Sequence, residues 1–440
     1  MDKKETKEQF RRFILGGTIW SAIFKAVNIG FSFLISIVLA RLAGPSEYGT
    51  YVYALSICGI LGIPAAFGFG GLLVREISSY QSKMRWSLMR GLVIFTNIFS
   101  LVFSILIFIF AMLIVWFWED KWTLQEAVTL SIALALLPLN AIKQIWGATL
   151  RGLRHILLSQ LFSGVVHNFI FLLLVAIVYV FITQKINAIL AMEMQLIAAF
   201  FSVFFMWFFL NKSYPKSIKS TTSIFETKHW IKNAVPFLLI NGMQILYIQT
   251  DILMIGMIKG MNDVGLYHIA TRGAMIIAII SVAVNIPLAP TIAHLFSQGE
   301  FTRLQKIVTL VTRATVLSTL PLVLILLIFG QTLIVFIFGD KFIGAWEAFA
   351  ILVSAQFIYL LMGPRETLLS MTAYVNYTVI GLMITTILNI LLNYVLIPIW
   401  GITGAAIATA ISGIIGNLFL VYWAVYLSKI NPTIFTYKIR

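Results

Sequence analysis

Charge is what this sequence has least of: Asp, Glu, Lys and Arg make up 11% of its 440 residues, where a soluble domain carries about 25%. Hydrophobic residues make up 60%. No water-soluble fold of this length hides so much apolar surface, so the soluble classes are excluded. Acid is scarcer than base, 16 residues against 31, which leaves a net charge of +15. In a soluble protein that excess would point to nucleic acid; here it is read first against the two faces of a membrane, and no nucleic-acid partner is expected. Cysteine occurs once, as Cys58, so an internal disulfide is excluded. A Walker-type glycine loop is lacking, which argues against ATP hydrolysis. The five histidines have no metal-ligand spacing, so neither a metal nor another cofactor is expected. The alternating pattern of a membrane β-barrel is missing as well. So is a cleavable signal peptide, because residues 1–12 are highly charged and lead straight into an apolar stretch.

What is present is a succession of apolar stretches at 13–41, 51–74, 88–118, 122–150, 155–182, 186–211, 231–258, 265–296, 304–329, 344–364, 374–398 and 402–427. Each reaches the roughly 20 residues that a membrane-spanning helix needs. Only helices and closed barrels satisfy their backbone in lipid, so an all-α, polytopic membrane protein of about twelve spans is predicted. The segment 330–343, QTLIVFIFGDKFIG, is apolar but too short to span and reads as a surface or re-entrant piece.

Placing the N-terminus in the cytoplasm puts 22 Lys and Arg residues in inside segments and 5 outside, with Lys25, Lys143, Arg272 and Arg313 left within spans. That asymmetry obeys the positive-inside rule and predicts that both termini are cytoplasmic. The longest polar stretch between spans, 211–230, divides the chain into an N-terminal six-helix lobe (1–211), an interlobe linker (212–230) and a C-terminal six-helix lobe (231–440). The halves resemble each other. A shift of 216 residues aligns Gly44, Glu47, Gly49 and Tyr51 with Gly260, Asp263, Gly265 and Tyr267. A shift near 220 aligns Asp120, Lys121 and Trp122 with Asp340, Lys341 and Phe342. An even number of helices per half gives both halves one orientation, so the repeats are parallel and their pseudo-two-fold axis runs along the membrane normal.

The run VLARLAGPSEYGTYVYALS at 38–56 is similar to the first helix-loop-helix of bacterial polysaccharide and O-antigen flippases of the Wzx type. These belong to the multidrug/oligosaccharidyl-lipid/polysaccharide exporter superfamily. The likeness continues through PFLLINGMQILYIQTDILMIG (236–256), VGLYHIATR (264–272), FGDKFIGAWEAFAIL (338–352) and NILLNYVLIPIWGITGAAIATAIS (389–412). The resemblance implies two six-helix bundles around a central cavity. It also implies transport of polyprenyl-pyrophosphate-linked oligosaccharide from the inner to the outer face of a bacterial cytoplasmic membrane. Lipid bilayer and polysaccharide polymerase machinery are the further partners it suggests.

A charge at the centre of a span costs about 2.5–3.5 kcal/mol on insertion scales, so each one needs a reason. In the first span Ser21, Lys25, Asn28, Ser32 and Ser36 fall within about an 80° arc, a polar stripe on an apolar helix. In the seventh, Asn241, Gln244, Tyr247 and Asp251 form a stripe about 120° wide. The repeat shift sets Lys25 against Asn241 and Asn28 against Gln244, as two lobes facing one aqueous cavity require. Lys143 shares a face of the fourth span with Asn140, and Arg272 lies one turn from His268 in the eighth. Lys25, Lys143 and Arg272 are the candidate pyrophosphate-binding cations, since a cation in a low-dielectric cavity holds a phosphate far better than one in open water. Asn28, Asn241 and Gln244 are candidate partners for sugar hydroxyls. Asp251 is the candidate ion-coupling site, for a proton or Na⁺, with a plain structural role as the alternative. Snorkelling or packing competes as a reading for Lys25 and Lys143, and membrane-surface anchoring for Arg272. Arg313, Glu193, Glu347 and His167 read as packing residues, and Gly404, Ala408, Ser412 and Gly416 as a close-packing face.

Three other classes were weighed. A polymerase or ligase acting on lipid-linked sugars needs a sizeable external loop, and the outside loops here are only a few residues long. A cation or drug exporter of the same superfamily favours acidic residues, which are scarce within these spans. A lipid II flippase usually carries two helices beyond twelve. The expectation is a non-enzymatic flippase working by alternating access.

Overall fold

The computed structural model of the protein describes residues 3–118, 122–215, 217–218, 221–372 and 374–435, with side chains described from Ile23 onward apart from those of 282, 283, 286 and 375. Among the described residues every regular element is helical. The order is α1 (Lys3–Ala43), α2 (Pro45–Ala66), α3 (Phe69–Ser82), α4 (Trp86–Phe117), α5 (Leu124–Gly152), α6 (Ile156–Phe181) and α7 (Ala188–Ser213). It continues with α8 (Thr227–Ile258), α9 (Met261–Ser297), α10 (Phe301–Phe338), α11 (Trp346–Leu361), α12 (Arg365–Ser370) and α13 (Val375–Ser428). Ser21 of the first-span stripe has its side chain outside the description, and Asp120 and Lys121 of the proposed repeat lie outside the described residues altogether.

Among the described residues, eleven helices are long and apolar enough to cross a membrane. The last of these covers 53 residues, about 80 Å if straight, far more than the roughly 30 Å hydrocarbon core. Gly401 breaks it, with φ 57° and ψ −132°, a backbone conformation open to glycine. The two halves of α13 are therefore the eleventh and twelfth spans, and the all-α fold with about twelve crossings holds. The other interruptions also follow the sequence. Gly44 and Gly260, paired by the repeat, both take positive φ, 81° and 93°, immediately before α2 and α9. Thr123 and Glu126 form a reciprocal capping box at the start of α5, and Asn187 caps α7.

Two sequence readings are corrected. The stretch 51–74 is not one helix. α2 starts earlier, at Pro45, and stops at Ala66, where Phe67 (φ 43°) and Gly68 (φ 71°) turn the chain into the separate α3. The segment 330–343 is not a separate surface or re-entrant piece. α10 runs unbroken through Phe338, because a lone Gly330 costs a helix only about 1 kcal/mol and the first residue with positive φ is Gly339, at 101°. At 38 residues, α10 is about 57 Å long, so it outruns the hydrocarbon core.

The described helices sort into two compact units, one of residues 1–43 and 54–242, the other of 44–53 and 243–440. The first unit is built on α4, α5 and α7, with a core of Phe69, Leu72, Met89, Ile145 and Trp230, all inaccessible. Trp230 Nε1 donates to Tyr80 Oη at 3.0 Å, so the one polar atom of this large buried ring is satisfied. The stretch after α7 is tied to α4: Ile224 N donates to Ser87 O at 3.1 Å, Arg90 Nη1 donates to Thr221 O, and Gly91 leaves room for the Ile224 carbonyl.

In the second unit, the start of α2 crosses the start of α9 at two glycines. A Cβ on Gly49 would lie 1.8 Å from the Met261 carbonyl oxygen, and one on Gly265 would lie 2.1 Å from that of Pro45. The twelfth span packs on its neighbours in the same manner. A Cβ on Gly404 would meet the Leu396 carbonyl at 2.2 Å, and one on Gly416 would meet Thr385 Oγ1 at 1.7 Å. The small-residue face is a packing face, as small residues in spans usually are.

Candidate functional site

The second unit holds a buried carboxylate at the centre of a polar cluster. Asp251, on α8, is 4% exposed. Its Oδ1 accepts from Asn389 Nδ2 at 3.1 Å and Asn393 Nδ2 at 2.6 Å; its Oδ2 accepts from Tyr267 Oη and Thr409 Oγ1, each at 2.5 Å. Four donors from α8's neighbours α9 and α13 thus converge on one carboxyl group, which is how a charge is held away from water. Asn393 Oδ1 is buried and accepts no hydrogen bond. Asn389 and Asn393 are one turn apart on the eleventh span, a spacing carried by the sequence NILLNYVLIP. Thr409 lies next to Ala408 of the small-residue face, one residue further round the helix.

One turn below Asp251, the same helix lines a cavity of about 360 Å³, within the size range of small-molecule sites. Gln244 and Tyr247 face it from α8, Ser281 and Asn285 from α9, and Tyr359 from α11. Gln356, Arg365, Glu366, Thr378, Thr385 and Asn417 complete the polar part of the wall. Tyr247 hydrogen-bonds Tyr359, whose hydroxyl donates to the Thr409 carbonyl at 3.0 Å. Gly413 lacks a side chain where that hydroxyl sits, 1.9 Å from the place of a Cβ. A hydrogen-bonded path therefore runs from the cavity wall to the residue that binds Asp251.

Arg365 is one of the 22 Lys and Arg residues that the sequence places in inside segments. The structure places it at the end of the cavity with Nε donating to Asn417 Oδ1 at 2.6 Å and Nη1 donating to the carbonyls of Tyr359 (2.9 Å) and Gly363 (2.8 Å). Burial lowers its pKa from the ordinary arginine value, and the Glu366 carboxylate beside it acts in the opposite sense. The guanidinium is thus a strut that fixes the chain between α11 and the eleventh span.

The remaining predicted residues lie in three places. Arg272 Nε donates to His268 Nε2 at 3.3 Å, and His268 Nδ1 meets Tyr48 Oη at 2.7 Å, all in the second unit. In the first unit Lys143 lies beside Cys58, which hydrogen-bonds Asn140. Lys25 is exposed on α1. Asn28, one turn on, accepts from Asn168 Nδ2 at 2.8 Å and packs against Gly164 in a π-helical turn, Leu161–Val165, of α6. Asn241 is half-buried in the first unit, while Gln244 is exposed on the cavity of the second. The structure brings Gln244 and Asp251 to neighbouring sites along α8; Arg272 bonds its own histidine in that unit, and Lys143 lies with Cys58 in the first unit.

A family model described as polysaccharide biosynthesis protein matches residues 38–347. The chain belongs to the polysaccharide biosynthesis protein family. The likeness to polysaccharide flippases read from its sequence is borne out at this level. An uncharacterised membrane protein of Methanocaldococcus jannaschii is 22% identical over 433 residues, covering 92% of this chain and 83% of the relative. A probable low-salt glycan biosynthesis flippase of Haloferax volcanii is 27% identical over 195 residues, 44% of this chain and 40% of the relative. A second probable flippase of that organism is 29% identical over 182 residues, 40% and 37% of the two chains. Among solved structures, an inward closed form of the lipid II flippase MurJ superposes with TM-score 0.74 at 15% identity, over 92% of this chain and 87% of the other. An inward-facing multidrug transporter of the MATE family superposes with TM-score 0.71 at 14% identity, over 91% and 94%. At such identities the likeness is one of fold. Family membership and the apolar helices together identify a multi-pass membrane protein of the polysaccharide biosynthesis protein family.

Proposed function

We propose that this protein is a flippase that carries lipid-linked oligosaccharide across the cytoplasmic membrane, from the cytoplasmic to the outer face. The observation that carries the reading is the cavity of the second unit. Apolar spans have no reason to gather Gln244, Ser281, Asn285, Thr385 and Asn417 around a space of about 360 Å³ unless a hydroxyl-rich group enters it, since each unmet polar group in a membrane interior costs several kcal/mol. Family membership and the two archaeal flippases support the substrate class.

In this mechanism both termini are cytoplasmic, and the lobes 1–211 and 231–440, joined by 212–230, alternate between inward and outward access. Lys25, Lys143 and Arg272 attract the pyrophosphate of a polyprenyl carrier. Asn28, Asn241 and Gln244 meet sugar hydroxyls while the lipid tail stays in the bilayer. Asp251 carries the coupling ion, H⁺ or Na⁺: its two carboxylate oxygens, the Thr409 hydroxyl and the free Asn393 Oδ1 supply oxygen ligands, the hard donor type a small cation takes. The product would feed a polysaccharide polymerase on the outer face.

The test is removal of the protein from its native cell. Lipid-linked glycan should accumulate on the cytoplasmic side, and Lys25→Ala or Arg272→Ala should fail to restore export while still inserting into the membrane. An unchanged lipid-linked pool with altered drug resistance would replace this reading with drug export.

A further inference from the structure

One face of α9, in the second unit, carries Gly265, His268 and Arg272 at i, i+3 and i+7, the spacing of residues that share a helix face. Gly265 turns that face to α2, since a Cβ there would strike the Pro45 carbonyl. On α2 the residue before the other crossing glycine, Gly49, is Tyr48. It is 2% exposed, and its hydroxyl lies 2.7 Å from His268 Nδ1. The phenol ring is held on two sides, tilted against the imidazole with 5.5 Å between centroids and edge-on to Phe342 at 6.4 Å. The close crossing of the two helices is thus what delivers Tyr48 to His268.

The contact on the other side of the ring assigns its proton. Arg272 Nε donates to His268 Nε2 at 3.3 Å. A guanidinium only donates, so Nε2 carries the lone pair, Nδ1 carries the hydrogen, and Nδ1–H donates to the Tyr48 oxygen. The other tautomer would set one N–H against another at Arg272, and the Tyr48 hydroxyl favours the tautomer that does not. With Nε spent on the imidazole, the plane of the guanidinium is fixed and its Nη1–Nη2 edge is left over. That edge makes no hydrogen bond or ion pair among the described residues. Half-buried in a span, a guanidinium with half its fork unpaired is costly. Two parallel N–H groups on one edge match two oxygens on one phosphorus or one carboxyl carbon.

We infer that His268, itself oriented by Tyr48, is a positioning residue that aims the free edge of Arg272 at a two-oxygen anion. The inference rests on the flippase reading for the source of that anion, the pyrophosphate of the lipid carrier; the carboxylate of an acidic sugar offers the same chemistry and is the other source. His268 touches no ligand in this account and acts only through the guanidinium. Lysine at position 272 would keep the charge but has no Nε for the imidazole to hold, so the arrangement also explains why the cation here is arginine.

The full-length protein in lipid nanodiscs can be titrated with inorganic pyrophosphate and, separately, with glucuronate. Pyrophosphate should bind the more tightly; the reverse order would refute the lipid carrier as source and assign the edge to an acidic sugar. His268→Asn puts its amide at the place of Nδ1, leaves Arg272 Nε without an acceptor, and should weaken pyrophosphate binding about fivefold to tenfold, the worth of one hydrogen bond. His268→Gln reaches the place of Nε2, offers Arg272 a carbonyl oxygen, and should stay within about twofold of wild type. Arg272→Lys should itself weaken binding about tenfold by losing the fork, and adding His268→Asn to it should change nothing further. Equal losses in the Asn and Gln variants, or the same loss from His268→Asn in both backgrounds, would show a packing effect and overturn the positioning role. If His268→Asn fails to fold, Tyr48→Phe removes the acceptor of Nδ1–H instead; it should weaken binding severalfold with arginine at 272 and not with lysine, and no loss would overturn the role of Tyr48. A wild type that binds neither anion would overturn the whole inference, while the flippase reading would still stand or fall by the accumulation of lipid-linked glycan in depleted cells.

Discussion

Replacing Asp251 by Asn should leave stability nearly unchanged, whereas replacing it by Ala should cost much of it. The carboxylate accepts four hydrogen bonds, two amide N–H on Oδ1 and two hydroxyls on Oδ2. In Asp251→Asn the new amide can turn its oxygen to the amides of Asn389 and Asn393 and its nitrogen to the oxygens of Tyr267 and Thr409, because a hydroxyl accepts as readily as it donates. All four contacts survive. The loss of charge assistance is offset by no longer holding a charge out of water, and the net change should be within about 2 kcal/mol. Asp251→Ala has no such escape. Asn389 still reaches Thr409 Oγ1 and Asn393 still reaches Asn389 Oδ1, each at 3.1 Å. The Tyr267 and Thr409 hydroxyls, however, lose their acceptor, since Tyr267 and Thr409 stand 3.4 Å apart, too far to replace it well. Two buried donors at about 1–3 kcal/mol each, plus the void, give a loss of roughly 2–6 kcal/mol, a large part of any protein's 5–15 kcal/mol. Thermal unfolding of the purified variants in one detergent should rank wild type and Asp251→Asn together and Asp251→Ala far below. Export driven by an imposed Na⁺ or proton gradient should lose its gradient dependence in Asp251→Asn. An Asn variant as unstable as the Ala variant would refute the hydrogen-bond account, and unchanged gradient dependence would refute the coupling role.

Arg365→Lys should destabilise by about 2–4 kcal/mol although it keeps the charge, since a lysine ammonium cannot reach Asn417 and two carbonyls with the fixed fork of a guanidinium; denaturant titration of the pair reads this directly, and a neutral outcome would mean the strut is idle. Gly49→Ala and Gly265→Ala should each cost at least about 1–3 kcal/mol through overpacking, with similar melting losses in the two variants. A loss confined to one of them would contradict the reciprocal contact.

The number of crossings was legible because hydropathy and charge asymmetry act on long stretches and tolerate local error. The interruptions were legible only where the breaker was strong. Gly401 ends a span as glycine with positive φ, but the join at Phe67 depends on a non-glycine residue in that conformation, which composition does not announce, and the run through Gly330 shows a glycine that breaks nothing. For the sites, Asp251 stood out because a lone acid in a span is costly. Its partners did not, because Asn389, Asn393 and Thr409 are ordinary in an apolar helix until the packing turns them to one point. Arg365 was counted for its charge alone, since its three acceptors, two of them backbone carbonyls, have no side-chain signature.

The crossing of α2 and α9 carries one more consequence. Position 49 faces Met261, the repeat counterpart of Pro45, and position 265 faces Pro45 itself. The two contacts exchange places under the shift that relates the halves of the chain. Such reciprocity is the geometry of an isologous subunit interface. At this point the chain meets itself as two copies of one segment would meet in a parallel dimer, with a glycine at each place where one backbone touches the other.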